Sequence, residues 1–214
     1  MTSRRTSLFL LLLCSSFLLQ PAASGATPEE DHAKGARIYA QGDVVTAMSV
    51  LKGPADAGHA AAQALYAQIL DSADSDEEAL AYFRKSANQG NAEGQFGLGS
   101  MLASGEGGPR NPAEGLKWIS LAGNQGHKLA INEMALAHIN ARMGGVPVVT
   151  DDAETLRWVR LAAGNDFLPA LEALTEAFRK GTLGLPVDLK QADQMETRAR
   201  AVKGLKGKRK GDRK

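Results

Sequence analysis

Small and apolar residues recur along this chain with a helical spacing, and the pattern repeats at intervals of 32, 36 and 40 residues. The repeats align on four anchor positions: Gly58, Gly90, Gly126 and Asp166. Four positions after each anchor stands a small residue, eight after it an apolar one, and nine after it a further small residue or a threonine. Eight positions before the anchors stand Val50, Tyr82, Trp118 and Trp158. Offsets of 4, 8 and 9 share one face of a 3.6-residue helix, so each repeat predicts amphipathic helices.

Each repeat is predicted to fold as a helix, a turn and a second helix. Helix-breaking runs interrupt the periodicity at residues 104–109, 143–147 and 181–186. The polar residues that follow these runs can cap a second helix, and Pro112 suits the first helical position. They are Asn111, Asp151 and Asp188. With a further helix pair at about residues 29–41 and 44–57, the pattern predicts an all-α fold, an α-solenoid of about five antiparallel helix pairs.

The pattern resembles the Sel1-like repeat, a relative of the tetratricopeptide repeat. The family's order is a small residue, Leu-Gly, a glycine-rich turn and then an aromatic residue. The repeat that matches it best contains Gly94, Leu98, Gly99, Gly105, Gly107, Trp118, Ala122 and Gly126. The chain departs from that order at Leu102, His138 and Met195, where the family has an aromatic residue. The resemblance covers about residues 30–203. It implies a surface for a protein or peptide partner, with no cofactor.

The predicted partner-binding surface is the stripe of the first helices that lies outside the packing positions. The repeat offsets select Glu93, Phe96, Asn132, Leu136, Glu172 and Glu176. Phe96 is the strongest candidate, because a large aromatic residue outside the packing positions often anchors an interface. Packing against a neighbouring helix is the alternative role for Phe96.

The first 26 residues have the three parts of a secretory signal peptide. Arg4 and Arg5 precede an apolar run at residues 8–19, and small residues occupy positions 22–26. The run is shorter than the roughly 20 residues that span a bilayer. We expect cleavage after Ala26, no remaining transmembrane span, and a periplasmic or secreted bacterial protein. An uncleaved anchor helix is one alternative. Lipidation at Cys14 is the other, although the apolar run continues past this residue.

The chain as a whole has 25 basic and 24 acidic residues, but this balance hides two parts of opposite charge. Residues 27–197 carry 14 basic and 23 acidic side chains, a net charge of −9, whereas residues 198–214 carry +8. The segment 204–214 has no aromatic residue, so we expect it to be disordered and not to recognise nucleic acid specifically. It could attract an anionic envelope surface through Lys206, Lys208, Arg209, Lys210, Arg213 and Lys214.

No catalytic, cofactor or metal site is predicted. The chain has four histidines, but no His-Glu-x-x-His motif and no cluster of cysteine and histidine. His127 and His138 are eleven residues apart, about 16 Å along a helix, which is too far to share one ion. The Gly97-Leu98-Gly99 run lacks the third glycine and the preceding strand of a phosphate-binding loop. The acidic run at residues 71–78 lacks the spacing of a calcium loop.

The sequence therefore predicts an exported, non-enzymatic scaffold or adaptor that binds a protein or peptide. A hydrolase or binding protein directed at the cell wall or at β-lactams is one alternative. It would use Ser49 and Lys52, which fit Ser-x-x-Lys without the partner motifs of that enzyme class. A structural subunit of an envelope complex is the other alternative.

Overall fold

The computed structural model describes residues 26–143, 146–148 and 151–211, so nearly all of the predicted signal peptide lies outside the described residues. Ten helices form consecutive pairs, α1/α2 to α9/α10, and each helix packs on the next. The helices are α1 Pro28–Ala40, α2 Val44–Asp56, α3 Ala60–Asp71, α4 Asp76–Asn88, α5 Ala92–Ser104, α6 Pro112–Asn124, α7 Lys128–Ile139, α8 Asp152–Gly164, α9 Leu168–Lys180 and α10 Leu189–Gly211. The predicted all-α solenoid of five helix pairs is thereby confirmed.

One element was not predicted. In the connection between α7 and α8, β1 (Arg142–Met143) pairs antiparallel with β2 (Val146–Pro147). Pro147 cannot donate a backbone hydrogen bond, and the two strands have only two residues each. This pair is therefore a local turn between α7 and α8, and the architecture remains helical.

The four anchor positions form the turns that join one unit to the next. Gly58, Gly90 and Gly126 have φ of +93°, +83° and +89°, a left-handed conformation that glycine adopts without steric cost. Asp166 takes the same role at φ +54°. Each anchor N–H bonds to the carbonyl oxygen three residues earlier, at 2.9–3.1 Å. The anchors recur because every unit needs the same reversal of the chain.

The predicted caps open the second helices. The side chains of Asn111, Asp151 and Asp188 accept backbone N–H bonds three residues later, at 3.2, 2.7 and 3.0 Å. Pro112 stands in the first turn of α6. Such caps satisfy amide groups that a helix leaves without intrahelical partners at its start.

The small residues of the pattern lie where helices approach most closely. Ala62, Ala130, Ala135 and Ala170 are completely buried. At the contact between α5 and α6, a Cβ on Gly99 would lie 2.6 Å from Ile119 Cγ1 and 2.8 Å from the backbone oxygen of Gly115. The absence of a side chain at residue 99 is therefore a condition for this helix pair to pack at its present distance.

The basic end differs from its prediction. Helix α10 continues to Gly211, so residues 204–211 are helical and not disordered as predicted. Lysine, arginine and leucine are good helix formers, cations are favourable near a helix C-terminus, and extending an existing helix is easier than starting one. The side chains of Lys206, Lys208, Arg209 and Lys210, and all of Arg213 and Lys214, lie outside the described part of the structure.

The first cations of the basic segment are paired with acidic residues of the solenoid. Arg198 contacts Asp166 at 2.6 Å, and Lys203 contacts Glu172 at 2.7 Å. Both pairs are partly solvated, so they contribute little to the free energy of unfolding but orient α10 along the acidic body.

The seam between α5 and α6 gives the first testable prediction. Gly99→Ala should lower the free energy of unfolding by about 1–3 kcal/mol, because the new methyl group overlaps backbone that can move only if the helices separate. Gly164→Ala is the matched control, since residue 164 is helical and a Cβ there meets nothing within 4 Å. Chemical denaturation of both variants measures the difference. Equal stability of the two variants would show that this contact does not limit the packing.

Candidate functional site

A groove of about 710 Å³ runs along the first helices of the units, on the N-terminal half of the solenoid. Helices α3 and α5 form its sides, α1 closes one end with His32, and α7 contributes Leu129 at the other. The residues that line it are His32, Ala61, Ala64, Leu65, Gln68, Asp71, Phe83, Asn91, Glu93, Phe96, Gly97, Ser100, Met101, Glu106 and Leu129. Its size is in the range of cavities that bind drug-sized ligands or a few side chains.

The floor of the groove is apolar because of a glycine. Phe83 belongs to the second helix α4, yet its ring reaches the groove beneath α5. A Cβ on Gly97 would overlap this ring, so the ring lies there only because residue 97 has no side chain. Gly97 and Gly99 are thus helix-packing residues within α5. Leu65, Phe96, Met101 and Leu129 complete the apolar lining.

The lining residues that carry a formal charge in the described structure are all acidic: Asp71, Glu93 and Glu106. Burial raises the pKa of the Asp71 carboxyl above its ordinary value, and the carboxylates of Glu106, Asp76 and Asp74 raise it further. This direction of shift means that the surroundings disfavour the charge on Asp71. A cation placed beside Asp71 and Glu106 would relieve that repulsion.

At the N-terminal end of α5, a histidine connects this helix to the start of α7. His127 caps α7, and its Nδ1 accepts the Ala130 N–H at 3.1 Å. The ring proton is therefore on Nε2, which lies 3.0 Å from Glu93 Oε2. Phe96 stacks on the same imidazole, with 4.6 Å between ring centroids. These contacts tie the groove wall to the next unit.

The six predicted partner-binding residues do not form one surface. Glu93 and Phe96 line the groove. Phe96 also packs on the core that α6 to α10 share, so the packing role considered for it is observed, while its role as an interface anchor stays a prediction. Asn132 and Leu136 are partly buried on α7 and do not line the groove. Glu172 and Glu176 line a separate cavity of about 280 Å³ between α9 and α10, among basic residues such as Lys203.

Several lining residues were missed by the sequence analysis. The offsets considered only one stripe of the first helices, whereas Phe83 comes from a second helix and Glu106 from the turn after α5. Asp71 belongs to the acidic run at residues 71–78, for which no site was predicted, yet it ends α3 at the edge of the groove. The clustering of acidic residues at 71–78 was the available signal for this charged end.

The residues considered for chemistry have structural roles. Ser49 is exposed on α2, while Lys52 pairs with Asp56 at 3.0 Å. That hydrogen bond raises the pKa of the Lys52 amine, which disfavours the neutral form that a general base needs. His138 is buried, and its Nδ1 lies 3.3 Å from the Thr155 hydroxyl. Burial lowers the pKa of His138, as expected for a neutral imidazole within the packing.

Comparison with known proteins adds the family. The family model for the Sel1 repeat matches residues 60–91 and 92–127, which are the units α3/α4 and α5/α6 together with the turns that follow them. The chain carries Sel1 repeats. Such repeats generally mediate interactions between proteins. Most residues that line the groove belong to these two matched repeats, and the units before and after them have the same helix-pair architecture.

Solved Sel1 structures share the fold. A Sel1 repeat protein from Oxalobacter formigenes is 28% identical and superposes with a TM-score of 0.68, covering 81% of this chain and 68% of that one. The protein c5321, a protective antigen of uropathogenic Escherichia coli with the same repeat fold, is 21% identical with a TM-score of 0.68, and the match covers 81% of this chain but 38% of c5321. No curated protein matches the chain at a significant level.

The end of the groove that contains Asp71 and Glu106 gives a prediction about the pKa of Asp71. The pKa of Asp71, measured by NMR titration, should lie above that of an ordinary aspartate, and Glu106→Gln should bring it part of the way down. Burial is the larger cause and remains in the variant, so the return should be incomplete. Glu133→Gln, on the exposed surface of α7, is the control. If Glu106→Gln leaves the pKa of Asp71 unchanged, the two carboxylates do not interact as the structure indicates.

Proposed function

We propose that this chain is an exported adaptor that binds an extended segment of a partner protein in the groove of its Sel1 repeats. The segment is expected to carry apolar side chains and at least one Lys or Arg. The observation that supports this proposal is the composition of the groove, an apolar floor whose charged lining residues are all carboxylates.

The energetics of the groove favour such a ligand. Apolar side chains of the partner would cover Leu65, Phe83 and Leu129 and remove apolar surface from water. A cation beside Asp71 and Glu106 would lie next to carboxylates that now repel one another. Opposite charge also speeds the encounter and suppresses binding of acidic segments.

The alternatives have less support. The hydrolase hypothesis depends on Ser49, which lies on α2 outside the groove and next to a lysine held by Asp56. A structural subunit of an envelope complex would use the same groove and differ from an adaptor only in the permanence of its partner.

Export is part of the proposal. Thr27, the first residue after the expected cleavage site, caps α1: its hydroxyl accepts the Glu30 N–H at 3.2 Å, and its own N–H donates to Glu30 at 2.8 Å. Removal of residues 1–26 would leave this capping box intact. Among the described residues, no helix is long and apolar enough to cross a membrane.

Peptide selection tests the binding proposal. Phage-displayed random heptapeptides selected on the purified protein should be enriched in Lys or Arg flanked by apolar residues. For a synthetic peptide of the enriched sequence, Leu129→Ala should weaken the affinity at least about fivefold, as expected for an interface anchor worth about 1 kcal/mol. Glu106→Gln should weaken it as well and reduce its dependence on salt.

Two matched variants control this experiment. Leu121→Ala removes a similarly exposed leucine from α6, 47% exposed against 57% for Leu129, but outside the groove. Glu133→Gln removes an exposed carboxylate outside the groove. Neither should change the affinity. If Leu121→Ala and Leu129→Ala weaken binding equally, or if selection enriches acidic peptides, the groove is not the binding surface.

Intact-mass measurement tests export. Protein recovered from the envelope fraction of a bacterial host should lack residues 1–26 and begin at Thr27, because a signal peptidase recognises the small residues at 24 and 26. Retention of Met1 in that fraction would overturn this part of the proposal. A mass that includes a lipid on Cys14 would instead favour the lipoprotein alternative.

A further inference from the structure

Glu29, His32 and His59 form a cluster of possible metal ligands where α1 meets α3. Glu29 and His32 are one helical turn apart in α1, and His59 caps the start of α3. One donor atom from each residue can be chosen so that all three atoms lie within 4.8 Å of one another. The two histidines are 27 positions apart in the sequence, so no short sequence motif predicts the cluster.

The contacts leave one nitrogen of the cluster without a partner. His59 Nε2 lies 2.8 Å from Glu29 Oε2, and the rings of His32 and His59 have centroids 5.1 Å apart. His32 Nδ1 is buried and has no hydrogen-bond partner among the described residues. Buried nitrogen atoms normally have a hydrogen-bond partner, so an unpaired one beside two further possible ligands favours a metal-binding role for His32.

We propose that Glu29, His32 and His59 bind a divalent transition-metal ion, and that Zn²⁺ suits the set of two imidazoles and one carboxylate. Three protein ligands leave a fourth position, and His32 also lines the groove. The proposal does not rest on the peptide-binding function, because Zn²⁺ binding by these three residues is measured without a peptide.

Binding has an identifiable cost at His59. Its Nδ1 now accepts the Ala62 N–H at 3.2 Å, so the ring proton is on Nε2. To bind the ion through Nε2, the ring must carry its proton on Nδ1, and the Ala62 N–H loses its acceptor. No proton leaves the ring in this exchange. The lost cap lowers the affinity but does not remove the site, since water can satisfy an amide in the first turn of a helix.

The chain contains a natural comparison for this site. Glu93 and Phe96 occupy in α5 the helical positions that Glu29 and His32 occupy in α1, and His127 caps α7 as His59 caps α3. The His127 to Glu93 contact is also retained, at 3.0 Å. The two sites therefore differ at one ligand position, where the second has the ring of Phe96 stacked on the capping histidine.

This comparison provides the variants for a loss-of-binding test. Isothermal titration of the untagged, metal-free protein with ZnCl₂ at pH 7.5 should show one saturable site. His32→Phe reproduces the residue set of the second site, keeps an aromatic ring against the capping histidine, and should weaken Zn²⁺ binding at least about tenfold. His127→Asn is the control, because Asn91 already caps α5 in the same way. The Zn²⁺ affinity of this variant should equal that of the wild type.

The converse variant keeps the proposal falsifiable if His32→Phe impairs folding. Phe96→His should supply the missing ligand at the second site and raise the stoichiometry to two Zn²⁺ per chain. Zn²⁺ should also raise the melting temperature of the wild type and of His127→Asn, since a ligand of the folded state stabilises it. Absence of saturable binding by the wild type, or unchanged affinity in a folded His32→Phe variant, would overturn the site.

Discussion

The close approach of neighbouring helices is the constraint on which the rest of this structure depends. Gly99 in α5 faces the backbone of Gly115 in α6, and a Cβ on Gly115 would lie 2.5 Å from the Gly99 oxygen. Small residues at the equivalent positions of the other units, Ala67 and Ala135, are completely buried. Because these seams are thin, the two helices of a unit pack closely, and the first helices α3 and α5 lie side by side along the groove. A larger residue at a seam would separate the helices on which the groove is built.

Side chains at the start of the first helices vary on this constant framework. At one junction Glu29, His32 and His59 meet, and at another Glu93, Phe96 and His127 occupy the same helical positions. The backbone hydrogen bonds of the two caps are alike, at 3.2 and 3.1 Å. A repeat therefore fixes where these side chains project and leaves their chemistry free. This separation explains how one helical pattern can support a peptide groove and a candidate metal site.

The charge distribution follows the same division between framework and surface. The acidic body presents Asp71, Glu93 and Glu106 to the groove, whereas Arg198 and Lys203 turn toward acidic residues of the body. The partly exposed pairs of α10 are worth little individually but give the last helix a preferred orientation. Burial raises the pKa of Asp71, the carboxylates of Glu106, Asp76 and Asp74 raise it further, and a cation from outside would relieve this repulsion.

The sequence by itself determined the repeat, the helix pairs, the anchors and the caps, because each depends on residues within one or two helical turns. Small residues at fixed offsets specify where the two helices of a unit pack closely. The composition of the groove was decided by tertiary structure: Phe83 reaches it only because Gly97 of another helix has no side chain. His32 and His59 likewise meet only when α1 stacks on α3. Even the helical state of residues 204–211 depends on where α10 begins, since a docked helix extends more readily than a free segment starts one.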